Sequence, residues 1–155
     1  MKQAIIGSFD SDEQATLALK EISFDRLANN EISILKLKEA NKDDGSFKEV
    51  HGFAIQGTDF EISELGETYI AGPLADRIKN ETAQNLKAAL ITYGVTKEDA
   101  EQYQTSAKEG NTLLIIETNS KKASNVANIM SQYGAKSISK WNKNLNHGLK
   151  VYKSP

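Results

Sequence analysis

Cysteine is absent from the 155 residues. That removes disulfides, thiolate nucleophiles, Cys-ligated zinc and iron–sulfur clusters together, and it is compatible with a reducing compartment. Histidine occurs only as His51 and His147, far apart and in loop-like surroundings. A Ser–His–acid triad needs an imidazole held by a carboxylate beside a hydroxyl, and neither position signals that constellation. HExxH spacing is missing, as are GxGxxG and GxxxxGK[ST], so zinc hydrolysis and phosphate cradling by those loops are disfavoured. Long apolar runs are missing as well: no window approaches the ~20 residues of a membrane span, and the run around Ile5-Ile6 is too short for a signal peptide. The expectation is a cytoplasmic, non-membrane protein with no catalytic, cofactor-binding or metal-ligating residue to assign and no cofactor.

What is present begins with an uneven charge. The net charge is −2, yet all 21 acids lie at or before Glu117, against 12 of the 19 basic residues, so residues 1–117 carry −9 and the remainder +7. An ordinary lysine-decorated helix and tail would account for this. So would a contact surface for nucleic acid or for the acidic part of a neighbouring copy. Three acidic clusters invite a general acid–base or cation-site reading: Asp10 with Asp12 and Glu13, Asp43 with Asp44, and Glu98 with Asp99 and Glu101. Two are better explained as first helical turns, where free amides and the dipole favour carboxylates, and the third as a turn. None has the alternating acids, Gly and distal Glu of a calcium loop.

The stretch from Gly94 to Thr118 organises the chain. Thr96 is placed to cap a helix from Lys97 to Glu109, with Ala100, Tyr103 and Ala107 on one face and Gly110 as the left-handed stop. Leu113-Leu114-Ile115-Ile116 follows at once, a strand whose two faces both call for cover. Earlier, Ala4 to Phe9 reads as a strand, Asp10 caps a helix with Glu13 reaching back, Ala15, Ala18, Leu19 and Ile22 form its apolar stripe, and Ile32 to Lys38 is a second strand. The alternation slips at Ile34-Leu35, through a bulge or a two-sided environment. Later, Thr112 to Thr118 is a strand, Ser120 caps a helix with a stripe of Ala123, Val126, Ala127, Met130 and Tyr133, Gly134 ends it, and Ser137 to Trp141 is the last strand.

Strand, helix and strand thus occur twice. The expected fold class is α+β, a ferredoxin-like split β-α-β repeat with a helical insertion between the two halves. The chain divides into a first half (1–39), an insertion (40–110), a second half (111–141) and a basic tail (142–155), all within a single domain of 1–155. In the insertion, Phe53, Ile55, Phe60 and Ile62 flank Gln56-Gly57-Thr58-Asp59 as a small hairpin. Ala71-Gly72-Pro73-Leu74 reads as a tight turn opening a short helix, and Ala83, Leu86, Leu90 and Tyr93 mark a further stripe broken by Gly94. The far side of the central strand is then covered by the helical pair or by a second protomer. The tail carries Leu149, Val151 and Tyr152, material for a short edge strand or a mobile end.

These motifs resemble the bacterial general stress protein family, the heat-induced stress protein domain of the seventeen-M type. The matching blocks are Ile6 to Ala15, Ile32 to Leu35, Ala71 to Ala75, Leu90 to Tyr103 and Gly110 to Leu114, spaced over roughly residues 4–140. The resemblance implies a cytoplasmic, non-enzymatic stress-response domain and supplies no catalytic residue. Relatives are often rich in Gly and Ala between the Ala-Gly-Pro block and the later helix, suggesting close helix contacts or even membrane association. Here the segment reads Asp76 to Thr82, polar and charged, so a membrane role is dropped.

The resulting expectation is a protein acting by binding and self-association as a homo-oligomer. The alternative is a regulatory domain that binds a small metabolite at a subunit interface. A ferredoxin-like sheet also raises RNA binding, but Leu113 to Ile116 offers no aromatic for base stacking. Nucleic acid would then be held only by Lys121, Lys122, Lys136, Lys140, Lys143, Lys150 and Lys153, non-specifically and with strong salt dependence.

Overall fold

The computed structural model describes residues 2–23, 32–37, 57–62, 65–79, 85–142 and 149–153. Among the described residues, seven strands form one sheet, with β1 (Lys2–Phe9), β2 (Ile32–Leu37), β3 (Gly57–Ile62), β4 (Gly66–Ala71), β5 (Thr112–Asn119), β6 (Ser137–Asn142) and β7 (Leu149–Lys153) in the order β3-β4-β2-β5-β1-β6-β7. Every neighbouring pair is antiparallel. Since β1 and β2 both pair with β5, they run parallel to one another on either side of it. The helices are α1 (Asp12–Ser23), α2 (Pro73–Lys79), α3 (Leu86–Ile91), α4 (Lys97–Lys108) and α5 (Ser120–Gln132). Mixed helix and antiparallel sheet make the class α+β.

Alternation along β5 builds two cores. Leu114 and Ile116 face a cluster with Ala18, Leu19 and Ile22 of α1 and Val126, Ala127 and Met130 of α5. Leu113 and Ile115 face the opposite cluster, filled by Leu74 and Ile78 of α2, Leu86, Ala89 and Leu90 of α3, and Ala100, Tyr103 and Ala107 of α4. All four strand residues are fully buried. The chain's own helices therefore supply the cover that the strand requires, and its burial creates no demand for a second copy. The Ile34-Leu35 slip in β2 has the same origin: Ile32 and Ile34 enter one core and Leu35 the other, with unbroken register to β4 and β5.

The caps of α4 match expectation. Thr96 Oγ1 accepts from the Asp99 amide at 3.3 Å, and at the far end Gly110 N–H reaches Ala107 O while Asn111 N–H reaches Ser106 O. With Gly110 at φ 97°, this is the paired closure that satisfies otherwise orphaned carbonyls. Two caps fall one residue from their expected places. Ser11, not Asp10, accepts from Gln14 N at 3.2 Å, and Asp10 instead pairs with Lys136 at 2.5 Å. Asn119, not Ser120, accepts from Lys122 N at 3.0 Å. Ser, Asp and Asn are near-equal caps, so adjacent candidates are decided by where the strand stops.

The hairpin is the larger correction. Gly57-Thr58-Asp59, expected in its turn, belongs to β3, which pairs from Gly57↔Ala71 to Ile62↔Gly66 with a strand the sequence did not signal. Residues 66–71 have buried Tyr69 and Ile70 pointing to opposite cores, so they lack the alternation that marks a half-buried strand. Phe53, Ile55 and Ala83 lie outside the described residues. The tail contributes β7, an edge strand beside β6.

Gly72 joins β4 to α2 at φ 87°, and a Cβ there would lie 2.0 Å from Ile32 O. Pro73 then takes the first helical position and Ser33 Oγ accepts from Leu74 N at 3.1 Å. Gly72→Ala combines a disfavoured backbone with a backbone collision, and should cost about 3 kcal/mol or more in denaturant unfolding, whereas Gly66→Ala, with open space around it, should cost only about 1 kcal/mol.

Candidate functional site

Helix α4 presents Glu98, Glu101, Gln102, Thr105 and Ser106 on one side at helical spacing, and its C-cap Glu109 continues the row. With Asn111, Lys136 and Ser137 they line a cleft of about 550 Å³. Its floor is fixed to the sheet by polar contacts. The Tyr103 hydroxyl is 3.3 Å from both Ile6 O and Ser137 O, and so bridges β1 and β6 where their pairing ends. Asn111 Nδ2 donates to Ser106 Oγ at 3.0 Å, leaving the Ser106 hydrogen free to meet buried Ser8 Oγ, with which it is in hydrogen-bond contact. The Lys136 amide donates to Ser8 O at 2.7 Å, while its ammonium is engaged by Asp10.

Chemically, this cleft offers carboxylates, hydroxyls and amides at an exposed rim. It can hydrogen-bond a polar ligand or attract a cation. Activation of Ser8 or Ser106 as a nucleophile would need a base against the hydroxyl, and the neighbour supplied to Ser106 is an amide, Asn111.

A second polar constellation lies under α2 and α3. Arg77 Nη1 donates to Thr92 Oγ1 at 2.6 Å, its guanidinium carbon sits 4.0 Å over the Tyr93 ring, and Nη2 is 3.9 Å from Glu117 Oε1. Glu117 is the next inward position after Ile115 on β5, so the carboxylate enters the same core. Burial pushes the Tyr93 phenol up from its ordinary 10.0 to about 12; the Arg77 charge opposes the rise, Glu117 adds to it, and hydrogen bonding with Ser33 and Arg77 lowers it. Arg77 thereby joins α2, the end of α3 and β5 through a cation–π contact, a hydrogen bond and an ion pair.

No protein-family model, curated protein or solved structure matches the chain. The site must therefore be read from its own geometry. Of the acidic clusters, Asp99 closes the α4 cap, with Thr96 Oγ1 3.0 Å from Oδ2, while Glu98 and Glu101 turn to the cleft. Asp10 is committed to Lys136. His51, His147, Asp43 and Asp44 lie outside the described residues. Among the described residues, no group of three or more His, Asp or Glu is arranged to hold a metal ion, and no helix is long and apolar enough to cross a membrane. Lys121 and Lys136 are exposed.

Sequence reasoning missed the roles of Arg77 and Glu117. One signal was visible: an acid directly after four strand aliphatics must either end the buried run or be buried with a partner.

Two outcomes follow for the Arg77 constellation. Arg77→Ala should lower stability by about 2 kcal/mol, with Arg77→Lys recovering little because the planar stack over Tyr93 is lost. Tyr93 binds its proton more tightly when folded, so its contribution is complete below pH 10.0 and is lost as pH rises through about 12. Urea midpoints measured across that window should fall more steeply for the wild type than for Tyr93→Phe.

Proposed function

We propose that the protein is a non-enzymatic, cytoplasmic domain of the bacterial general stress type, acting by binding and self-association on a ferredoxin-like split β-α-β frame. Support for the frame is the central order β2-β5-β1-β6, with α1 and α5 both packed into the core on one side of it. The blocks that carry the family resemblance are used for folding. Ala71-Gly72-Pro73 makes the entry to α2, Thr96 to Asp99 the cap of α4, and Gly110-Asn111 its closure. Such use supports a shared fold specification in preference to a shared reaction.

The observation that carries self-association is the distribution of charge along the sheet. Residues 57–71, which hold β3 and β4 at one end, contain Asp59, Glu61, Glu64 and Glu67 and no Lys or Arg. Residues 137–153, which hold β6 and β7 at the other end, contain Lys140, Lys143, Lys150 and Lys153 and no acid. One molecule thus carries complementary poles, and copies attract end to end.

The 550 Å³ cleft beside α4 favours a second reading, a small polar metabolite bound there, at a subunit interface. The two readings separate in solution. Self-association predicts a sedimentation coefficient that climbs with protein concentration at low salt and falls back on adding salt. Metabolite binding predicts a rise in melting temperature with one member of a compound panel. A strict monomer at every concentration, with a melting temperature responsive to a ligand, would transfer the assignment to the second reading.

A further inference from the structure

The two ends of the sheet differ in more than charge. Among the described residues, β3 pairs only with β4 and β7 only with β6, so each has an outer row of backbone N–H and C=O groups without a strand partner. Unpaired edges are templates for adding another strand. Placing charge on an edge is a common way to discourage such addition. Here the two edges carry opposite signs, so charge discriminates between pairings instead of forbidding all of them. A β3–β3 contact would set Asp59 and Glu61 against their own copies, and a β7–β7 contact would do the same to Lys150 and Lys153. A β7–β3 contact places basic positions beside acidic ones.

The register within the hairpin adds an independent observation. Glu61 lies directly opposite Glu67, and both are exposed. Like charges in direct cross-strand opposition destabilise a hairpin by some tenths of a kcal/mol. The fold therefore retains an unfavourable pair at its acidic end, and an approaching cation relieves it. At the opposite end, Lys153 is in register with Ser137 and Lys140 with Leu149, so no like-charged pair stands directly opposite.

We infer that copies of this chain join by strand addition, the basic β7 edge of one copy docking on the acidic β3 edge of the next. The inference rests on the self-association proposed above and names its surfaces. Six successive antiparallel pairings make β3 and β7 point the same way, so a copy added without inversion meets its neighbour in a parallel junction. Parallel pairing is the slightly weaker kind. The contact is heterologous, using two different surfaces, so growth proceeds past the dimer to a ring or a filament.

Charge exchange on the full-length chain tests this. Glu61→Lys with Glu67→Lys cancels the −4 of residues 57–71 and leaves only the basic end charged; Lys150→Glu with Lys153→Glu cancels the +4 of residues 137–153 and leaves only the acidic end charged. Sedimentation equilibrium of the wild type at about 50 mM salt should give an average mass that rises beyond the dimer with concentration, and about 500 mM salt should weaken association at least about tenfold. Each double variant alone should remain monomeric. An equimolar mixture of the two should associate again, which also shows that both are folded. Wild-type association by both variants would place the contact on another surface, overturning the edge assignment while leaving self-association standing. A wild type that is monomeric under all conditions would overturn both. Failure of the mixture to associate, or loss by Lys150→Glu with Lys153→Glu of heparin retention in a monomeric wild type, would likewise reject strand addition, the latter in favour of a nucleic-acid contact at the basic edge.

Discussion

Burial of β5 on both faces is the constraint from which the rest of the structure follows. Leu113, Leu114, Ile115 and Ile116 are each fully removed from water and alternate between two cores. At roughly 1.5–3 kcal/mol per aliphatic side chain, the four contribute on the order of 10 kcal/mol before the entropy of ordering is charged against it. No single-layered arrangement recovers that amount. One side is closed by α1 and α5, which the two strand-helix-strand units carry with them, and the other needs helices from elsewhere. The segment between the units exists, in structural terms, to provide α2, α3 and α4.

Closing the second side introduces a positional problem that hydrophobic contact alone does not solve. α2 and α3 are short, and greasy surfaces of this size can slide against a sheet by a turn or a residue. Polar groups remove that freedom. Ser33 receives the first amide of α2, Arg77 reaches Thr92, Tyr93 and Glu117 together, and Tyr103 ties α4 to the divergence of β1 and β6. The half-buried Arg77–Glu117 pair adds modestly to net stability, because desolvation and solvent screening offset much of its attraction. Its value here is in permitting one register of the helices, and the Gly72 backbone, set against Ile32 O, permits one path into them.

How much of this could be read in advance depended on whether the information was local. The α4 boundaries were legible because Thr96 and Gly110 act on amides and carbonyls within four residues of themselves. The two-sided strand was legible because four successive aliphatics admit no other burial. β4 was not, since Thr68, Tyr69 and Ile70 are all buried and a short strand covered on both faces has no period of two to detect. Arg77 and Glu117 were not, because they are 40 positions apart in sequence and only the tertiary fold brings their charges to 3.9 Å. The cleft beside α4 was not legible: Glu98 and Glu101 read as acids of a first helical turn, and Asn111, Lys136 and Ser137 reach them only through the ends of α4 and α5.

A molecule whose central sheet is occupied on both faces has its interior committed to folding, which leaves function to the periphery. The periphery of a sheet consists of its rims and its ends, and these differ physically. Helix rims carry side chains alone, as in the α4 cleft, and recognise by hydrogen bonding and charge. Sheet ends add main-chain donors and acceptors, which are sequence-independent and always present. Charge is then one property by which an end can choose its partner. A chain with 21 acids and 19 basic residues could have mixed them evenly and kept both ends inert; the separation of −4 in residues 57–71 from +4 in residues 137–153 gives each end a preference for the other and an aversion to itself. The net charge stays near zero while the ends stay distinct, so it conceals the feature on which the proposed association depends.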